Sequence, residues 1–196
     1  MSKKPIDIKT IFKGLQFSKQ ETVLVEGLFT KEIYKKGDII LQPDDVVHFE
    51  YFIKEGCLRS FYIDKQGKEH TVQFGVKDWW ISDYTAYFST AKSIMHIEVL
   101  QDAIVYKLSL KDKKLLYQKA PSTESYSIKK LERAFAAFQK RILSNLSETA
   151  TERYINFKRT YPNIESQVKN YHIASFLGIT TQSLSRIRKK ISQTLN

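Results

Sequence analysis

The stretch richest in usable chemistry is Tyr171 to Lys190, YHIASFLGITTQSLSRIRKK. Asn170 reads as the N-cap of a first helix over Tyr171 to Leu177. Ala174 is small where a second helix must cross closely, and Gly178 supplies the left-handed residue that ends the helix. Ile179 is expected to plug the turn into a core. Thr180 then caps a second helix, in which Leu184, Ile187 and Ile191 recur at steps of three and four and face inward. The opposite face carries Thr181, Gln182, Ser185, Arg186 and Lys189. A helix fits the major groove of duplex DNA, where Arg and Gln make paired hydrogen bonds with guanine and adenine edges. The spacing therefore predicts base contacts from Thr181, Gln182, Ser185 and Arg186. Tyr171, Arg188, Lys189 and Lys190 are expected on phosphates. The bland alternative is a helical hairpin whose charges are only solvated.

The elements that must position this stretch come before it. Thr149 to Tyr161 reads as a helix stopped by Pro162. Ahead of that, Ser122 to Leu146 holds neither Gly nor Pro, and Pro121 suits the residue before a helix start. Ile128, Leu131, Phe135, Phe138 and Ile142, followed by Asn145, fall at alternating steps of three and four. That is a heptad seam, narrower than the stripe of a helix packed on its own domain, and it predicts self-association. Asn145 on the seam would fix register. Lys129, Lys130, Arg133, Lys140 and Arg141 lie largely off it and are expected to form a solvated face.

Residues 1–110 read differently. Segment 18–27 is expected to be a short helix capped by Ser18. Turn signals recur at Gly37-Asp38, Glu55-Gly56, Gln66-Gly67 and Gly75. Between them lie short runs rich in Ile, Val, Phe and Tyr, from Ile39 to Leu41 through Ile104 to Leu108. The pattern predicts an antiparallel roll, with a hairpin loop at Asp64 to Lys68 and a short helix within Ser82 to Ser89.

Charge sorts the two halves. The 196 residues carry a net charge of +11. Residues 1–110 hold 15 basic and 15 acidic side chains, whereas residues 111–196 hold 17 and 6. A neutral body with a basic C-terminal part suits a polyanionic partner. Runs of apolar residues are too short to span a membrane, and Met1 to Pro5 leads into no apolar signal segment. With one cysteine, Cys57, there is no internal disulfide and no four-thiolate metal site. A soluble, intracellular protein is expected.

Together these features resemble the Crp/Fnr family of bacterial transcription regulators over nearly the whole chain. The likeness is most specific at Ile173 to Thr180 and Leu184 to Lys189; Lys36-Gly37-Asp38 and Tyr51 to Gly56 also fit the family's cyclic-nucleotide-binding-type domain. The resemblance implies an α+β fold of three parts. These are a jelly-roll-like β-roll that senses or only supports (residues 1–121), a dimerisation helix (122–148) and a helix-turn-helix domain (149–196). It implies a cytoplasmic homodimer on a two-fold symmetric site in double-stranded DNA, with RNA polymerase as a further partner and no membrane. The chain ends at Asn196, so a wing strand after the second helix is expected to be absent or minimal.

One departure bears on the ligand. Cyclic-nucleotide-binding members carry a Gly-Glu pair opening a short helix, then an Arg followed by Ser or Thr. Here the stretch is Asp78 to Tyr84, then Thr90-Ala91-Lys92-Ser93. Asp83 is the nearby acid, and Lys92 the one cation, with no bidentate fork. An effector pocket would draw on Trp80, Ser82, Asp83, Lys92 and Ser93. The expectation is no cofactor, an unidentified effector and no response to cyclic AMP; a cyclic-nucleotide-responsive activator is the nearer alternative. A more distant one is a cupin-like metal enzyme on the roll, for which His48-Phe49-Glu50 supplies one His and one Glu. No catalytic or metal-binding residue is expected, and Cys57 is read as a buried small side chain.

Overall fold

A computed structural model describes residues 6–89 and 91–194. The expectations placed on Met1 to Pro5, Thr90 and Asn196 lie outside the described residues. Two compact units emerge. One joins Met1–Ser60 to Gln73–Glu132, the other joins Phe61–Val72 to Arg133–Asn196. A hairpin from the middle of the roll is thus grouped with the C-terminal helices, a division that the boundaries at 121 and 148 do not follow.

The first unit opens with helices α1 (Ile8–Ile11) and α2 (Lys19–Leu28). Ser18 caps α2 as expected: its hydroxyl accepts from the Glu21 N–H, and the Glu21 carboxylate accepts from the Ser18 N–H. Six strands follow: β1 (Thr30–Tyr34), β2 (Ile39–Leu41), β3 (Phe49–Ile63), β4 (Glu69–Gly75), β5 (Trp80–Ile81) and β6 (His96–Ser109). Their order is β1-β6-β3-β4, with β2 also paired to β6 and β5 to β3. Helix α3 (Tyr84–Tyr87) sits between β5 and β6, and α4 (Leu110–Lys119) follows β6.

One expected turn is absent. Glu55-Gly56 lies inside the continuous β3, and β6 runs unbroken through Gln101-Asp102. Gly56 has φ +94°, and a Cβ there would fall 2.5 Å from the Asp102 carbonyl oxygen and 2.7 Å from Ala103 Cα. The glycine marks a close strand crossing rather than a chain reversal.

Strand alternation covers both faces of the sheet. Tyr51 and Ile53 of β3 enter one buried cluster with Ile81, Ile97, Val99 and Val105. Phe52, between them, enters another with Tyr106, Leu108, Phe12, Val25 and Leu116, the last three from the C-cap of α1, from α2 and from α4. Each such side chain contributes about 1.5–3 kcal/mol by leaving water.

The rest is helical: α5 (Ser122–Ser147), α6 (Ala150–Thr160), a 3-10 turn at Ile164–Ser166, α7 (Asn170–Leu177) and α8 (Thr181–Thr194). Thr149 caps α6 through a second reciprocal pair with Glu152. Phe157, Tyr161 and Phe176 form an aromatic knot with ring centroids 5.3–5.8 Å apart, with Ile164, Ile173, Leu177 and Leu184 buried in the same unit. No described helix is long and apolar enough to cross a membrane.

Candidate nucleic-acid interface

The turn between α7 and α8 is built as its residue types dictate. Gly178 takes φ +67°, and its N–H donates to the Ala174 and Ser175 carbonyls, closing α7. Thr180 Oγ1 accepts from the Ser183 N–H at 3.1 Å and so caps α8. The cap of α7 falls one residue earlier than expected. Lys169 is the N-cap and makes no side-chain capping bond. Asn170, the first helical residue, instead turns its side-chain oxygen to Arg188 at 2.7 Å. Ile179 is half-buried rather than fully sealed in a core.

On α8, Leu184 and Ile187 are buried and Ile191 half-buried, while Gln182, Ser185, Arg186, Lys189 and Lys190 are exposed. Positions 182, 185, 186 and 189 share one helix face at steps of three, one and three. Arg186 and Lys189 make no ion pair among the described residues. Ser185 donates its proton to the Thr181 carbonyl at 3.0 Å, leaving its oxygen to accept. Thr181 is half-buried at the start of the face. Tyr171 is 46% exposed at the N-terminus of α7, with the Lys169 ammonium 5.6 Å from its ring. That N-terminus offers unsatisfied N–H groups besides the lysine, which suits a phosphate. Lys169 was not singled out from the sequence, and its capping position was the available signal.

Arg188 is corrected. Its Nε lies 2.9 Å and a terminal nitrogen 2.6 Å from one Glu165 oxygen. The same oxygen accepts the Tyr154 hydroxyl at 2.6 Å. Burial pushes the Glu165 carboxyl up, but the hydrogen bonds from Tyr154 and Arg188 outweigh it and hold the group below the usual carboxylate value. An arginine so committed orients α8 within its unit and is not set aside for phosphates.

Arg141 is corrected as well. It was placed on a solvated face, yet it is half-buried within the second unit. Its guanidinium donates to the Val72 and Thr71 carbonyls of the hairpin and to the Phe176 carbonyl of α7. It also stacks 4.0 Å from the Phe176 ring. Burial draws it below the ordinary arginine value. Beside it, Ser175 Oγ donates to the Glu69 carbonyl at 2.7 Å and accepts from the Thr71 N–H at 2.8 Å. A hairpin 69 to 106 residues upstream gave no sequence signal for either partner.

The seam of α5 is open. Every residue from Lys129 to Lys140 is exposed. Ile128, Leu131, Phe135, Phe138 and Ile142 are 50, 52, 62, 38 and 58% exposed, and Asn145 is exposed too. Leu143 and Leu146, outside the predicted seam, add 62 and 79% exposure at its C-terminal end.

Of the five residues of the expected effector pocket, Ser82, Asp83 and Ser93 are buried, Trp80 is half-buried and Lys92 is exposed. Asp83 is fully buried and its carboxylate is saturated. One oxygen accepts from the Thr85 N–H at 3.0 Å, the Thr85 hydroxyl at 2.6 Å and the Ala86 N–H at 3.4 Å. The other accepts from the Ser93 hydroxyl at 2.9 Å and the Ile94 N–H at 3.1 Å. Burial raises this carboxyl, but the bonds from Thr85, Ile94 and Ser93 prevail and hold it below the usual carboxylate value. Ser82 donates to the Phe49 carbonyl at 2.9 Å. Trp80 packs against Phe52 with centroids 5.4 Å apart. Lys92 points to solvent, 4.0 Å from Asp44. Cys57 is buried as expected, and burial pushes its thiol up to about 12. The acid offered for the cupin-like alternative is otherwise engaged. Glu50 is buried on Lys113 at 2.9 Å, and no group of three His, Cys, Asp or Glu among the described residues is placed to hold a metal.

Residues 31–119 match the family model of the cyclic nucleotide-binding domain. Three solved structures share the architecture across both parts. CooA from Carboxydothermus hydrogenoformans superposes with a TM-score of 0.74 at 16% identity, over 97% of this chain and 87% of that one. The c-di-GMP responsive global regulator CLP from Xanthomonas campestris gives 0.71 at 10% identity, over 90% and 93%. A protein from Eubacterium rectale described as a transcriptional regulator of the crp/fnr family gives 0.67 at 16%, over 91% and 85%. The chain has the Crp/Fnr fold. No curated protein matches the sequence. In this chain α7 and α8 are joined by the short turn at Gly178, and α5 is a 26-residue helix ahead of them.

Proposed function

We propose that this chain is a sequence-specific, DNA-binding transcription regulator that works as a homodimer, is not an enzyme and does not respond to cyclic AMP. One observation carries the reading: α8 turns Gln182, Ser185, Arg186 and Lys189 outward on a single face, with Arg186 and Lys189 unneutralised among the described residues. Such a face enters the major groove with its arginine and glutamine on base edges, while Lys189, Lys190, Lys169 and Tyr171 meet the backbone. The open apolar seam of α5 supports pairing with a second copy, because aromatic side chains this exposed gain by mutual burial. RNA polymerase is a further partner in this reading.

The insensitivity to cyclic AMP follows from Asp83. A cyclic phosphate needs the N–H groups at the start of α3, and Asp83 already occupies them with a buried charge of the same sign. A phosphate would have to displace it without a free cation close by among the described residues: Lys113, 5.5 Å from the Tyr87 ring, is paired with Glu50 at 2.9 Å, and Lys92 is exposed beside Asp44.

The test is selection of bound sites from random duplex DNA with the full chain. An enriched inverted repeat with half-site centres about one helical turn apart, roughly 34 Å, is expected. No enriched sequence, or one without symmetry, overturns the proposal.

A further inference from the structure

We infer that the roll carries a ligand site separate from the cassette, a cavity between β2 and the start of β3 that takes a small amine with an apolar body. The inference rests on the regulator reading above, since it gives that regulator's effector a place and a chemistry. The cavity has a volume of about 370 Å³, within the range of small-molecule sites, roughly 300–1,000 Å³. Ile40, Leu41, Val47 and Phe49 form its apolar walls, and Asp45 and Tyr51 are its main polar groups. None of Trp80, Ser82, Asp83, Lys92 and Ser93 lines it.

Two polar atoms ask for a partner. Tyr51 is 7% exposed, and its hydroxyl makes no hydrogen bond among the described residues. Burial, with Tyr34 and Glu32 nearby, keeps that hydroxyl protonated, so it can both donate and accept. Asp45 spends Oδ2 on the Gln42 N–H at 2.9 Å, and its Oδ1 accepts no hydrogen bond among the described residues. Charge selects the ligand's head. The cation on the adjoining strand, Lys107, is tied to Glu32 at 2.7 Å and lies 5.0 Å over the Phe49 ring. Lys92, bridged through its backbone to the cavity residue Val46, lies 4.0 Å from Asp44. Asp45 therefore has no ion-pair partner among the described residues, and it favours an ammonium while repelling a carboxylate or phosphate. His48 also lines the cavity.

The probe is phenethylamine, with phenylacetate as a control of the same ring and opposite charge. Both are titrated by ligand-observed NMR into the full chain at pH 8, where histidine side chains are ordinarily neutral. The wild type, Asp45→Asn and Tyr51→Phe are compared. Asparagine keeps an oxygen for the Gln42 N–H and loses only the charge. Phenethylamine is expected to bind saturably, and phenylacetate at least tenfold more weakly. Asp45→Asn is expected to lose about tenfold in amine affinity, and Tyr51→Phe about threefold. No saturable amine binding, equal binding of the two probes, or an Asp45→Asn variant as tight as wild type overturns the inference. Operator binding without probe is measured on the same samples. Operator binding without amine binding removes this site alone, whereas amine binding without operator binding removes the regulator reading and leaves the site.

Discussion

A negative charge at Phe135 is the sharpest probe of the proposal that two copies pair through α5. The residue is 62% exposed on a helix whose neighbours from Lys129 to Lys140 are all exposed. An aromatic side chain offers roughly 150–250 Å², so covering Phe135 would remove about 90–155 Å² from water. At about 25 cal/mol per Å², that is roughly 2–4 kcal/mol per copy. A symmetric pair contributes the residue twice, and Phe135→Glu also forces two carboxylates toward an apolar seam. Taking only the lower bound, about 4 kcal/mol, the dimer dissociation constant should rise about a thousandfold. Sedimentation equilibrium from nanomolar to high micromolar concentration measures this directly, with circular dichroism to show that the helix persists. Arg133→Glu places the same carboxylate off the seam, with a charge change of two rather than one, and should leave the dimer intact. A Phe135→Glu protein that dimerises as tightly as wild type, or a wild type that stays monomeric, would refute the seam as the interface.

Arg186→Ala should cost about 1–3 kcal/mol on the selected operator and flatten base preference at one position of each half-site, as read by competition binding. Lys189→Ala should weaken binding evenly across sequences and lower the salt slope by about one, whereas Arg188→Ala should leave that slope near wild type and lower the melting temperature instead. Glu165→Gln should destabilise the protein by about 2 kcal/mol at pH 7. Because the folded carboxyl is held below its ordinary value of 4.5, its contribution is present above that value and fades as pH falls through the depressed one. Denaturant midpoints of the variant and wild type should therefore converge on acidification. Asp83→Ala should cost about 2–4 kcal/mol by orphaning buried donors, and calorimetry should show no gain of cyclic AMP binding.

Much of this was legible locally. Gly178 at a left-handed position, Thr180 as a cap and the alternation of Leu184 and Ile187 with Gln182 and Arg186 are short-range rules, and the structure follows them. The heptad steps from Ile128 to Ile142 likewise mark the stripe that the structure leaves open. What escaped was set by distant partners. Arg188 reads as one more surface cation until Glu165 and Tyr154, brought in from another helix and a turn, claim it. Arg141 reads as solvated until the hairpin carbonyls arrive. Gly56 reads as a turn because nothing nearby in the chain reveals that Asp102 and Ala103 press against it. Asp83 resembled a ligand-facing acid, and only the fold shows Ser93 and Ile94 closing over it.

The bond between Ser175 and the strand carrying Glu69 and Thr71 has a consequence for how the protein is made. Those partners lie 104 and 106 positions apart, so while the ribosome is still extending the chain the hairpin's outer edge waits bare, open to pairing with any other strand. A truncation before α7 leaves that edge bare for good. The fragment from Arg133 onward in turn lacks the backbone that Ser175 and Arg141 grip, so excising it for crystallography or binding work would sacrifice part of its own framework.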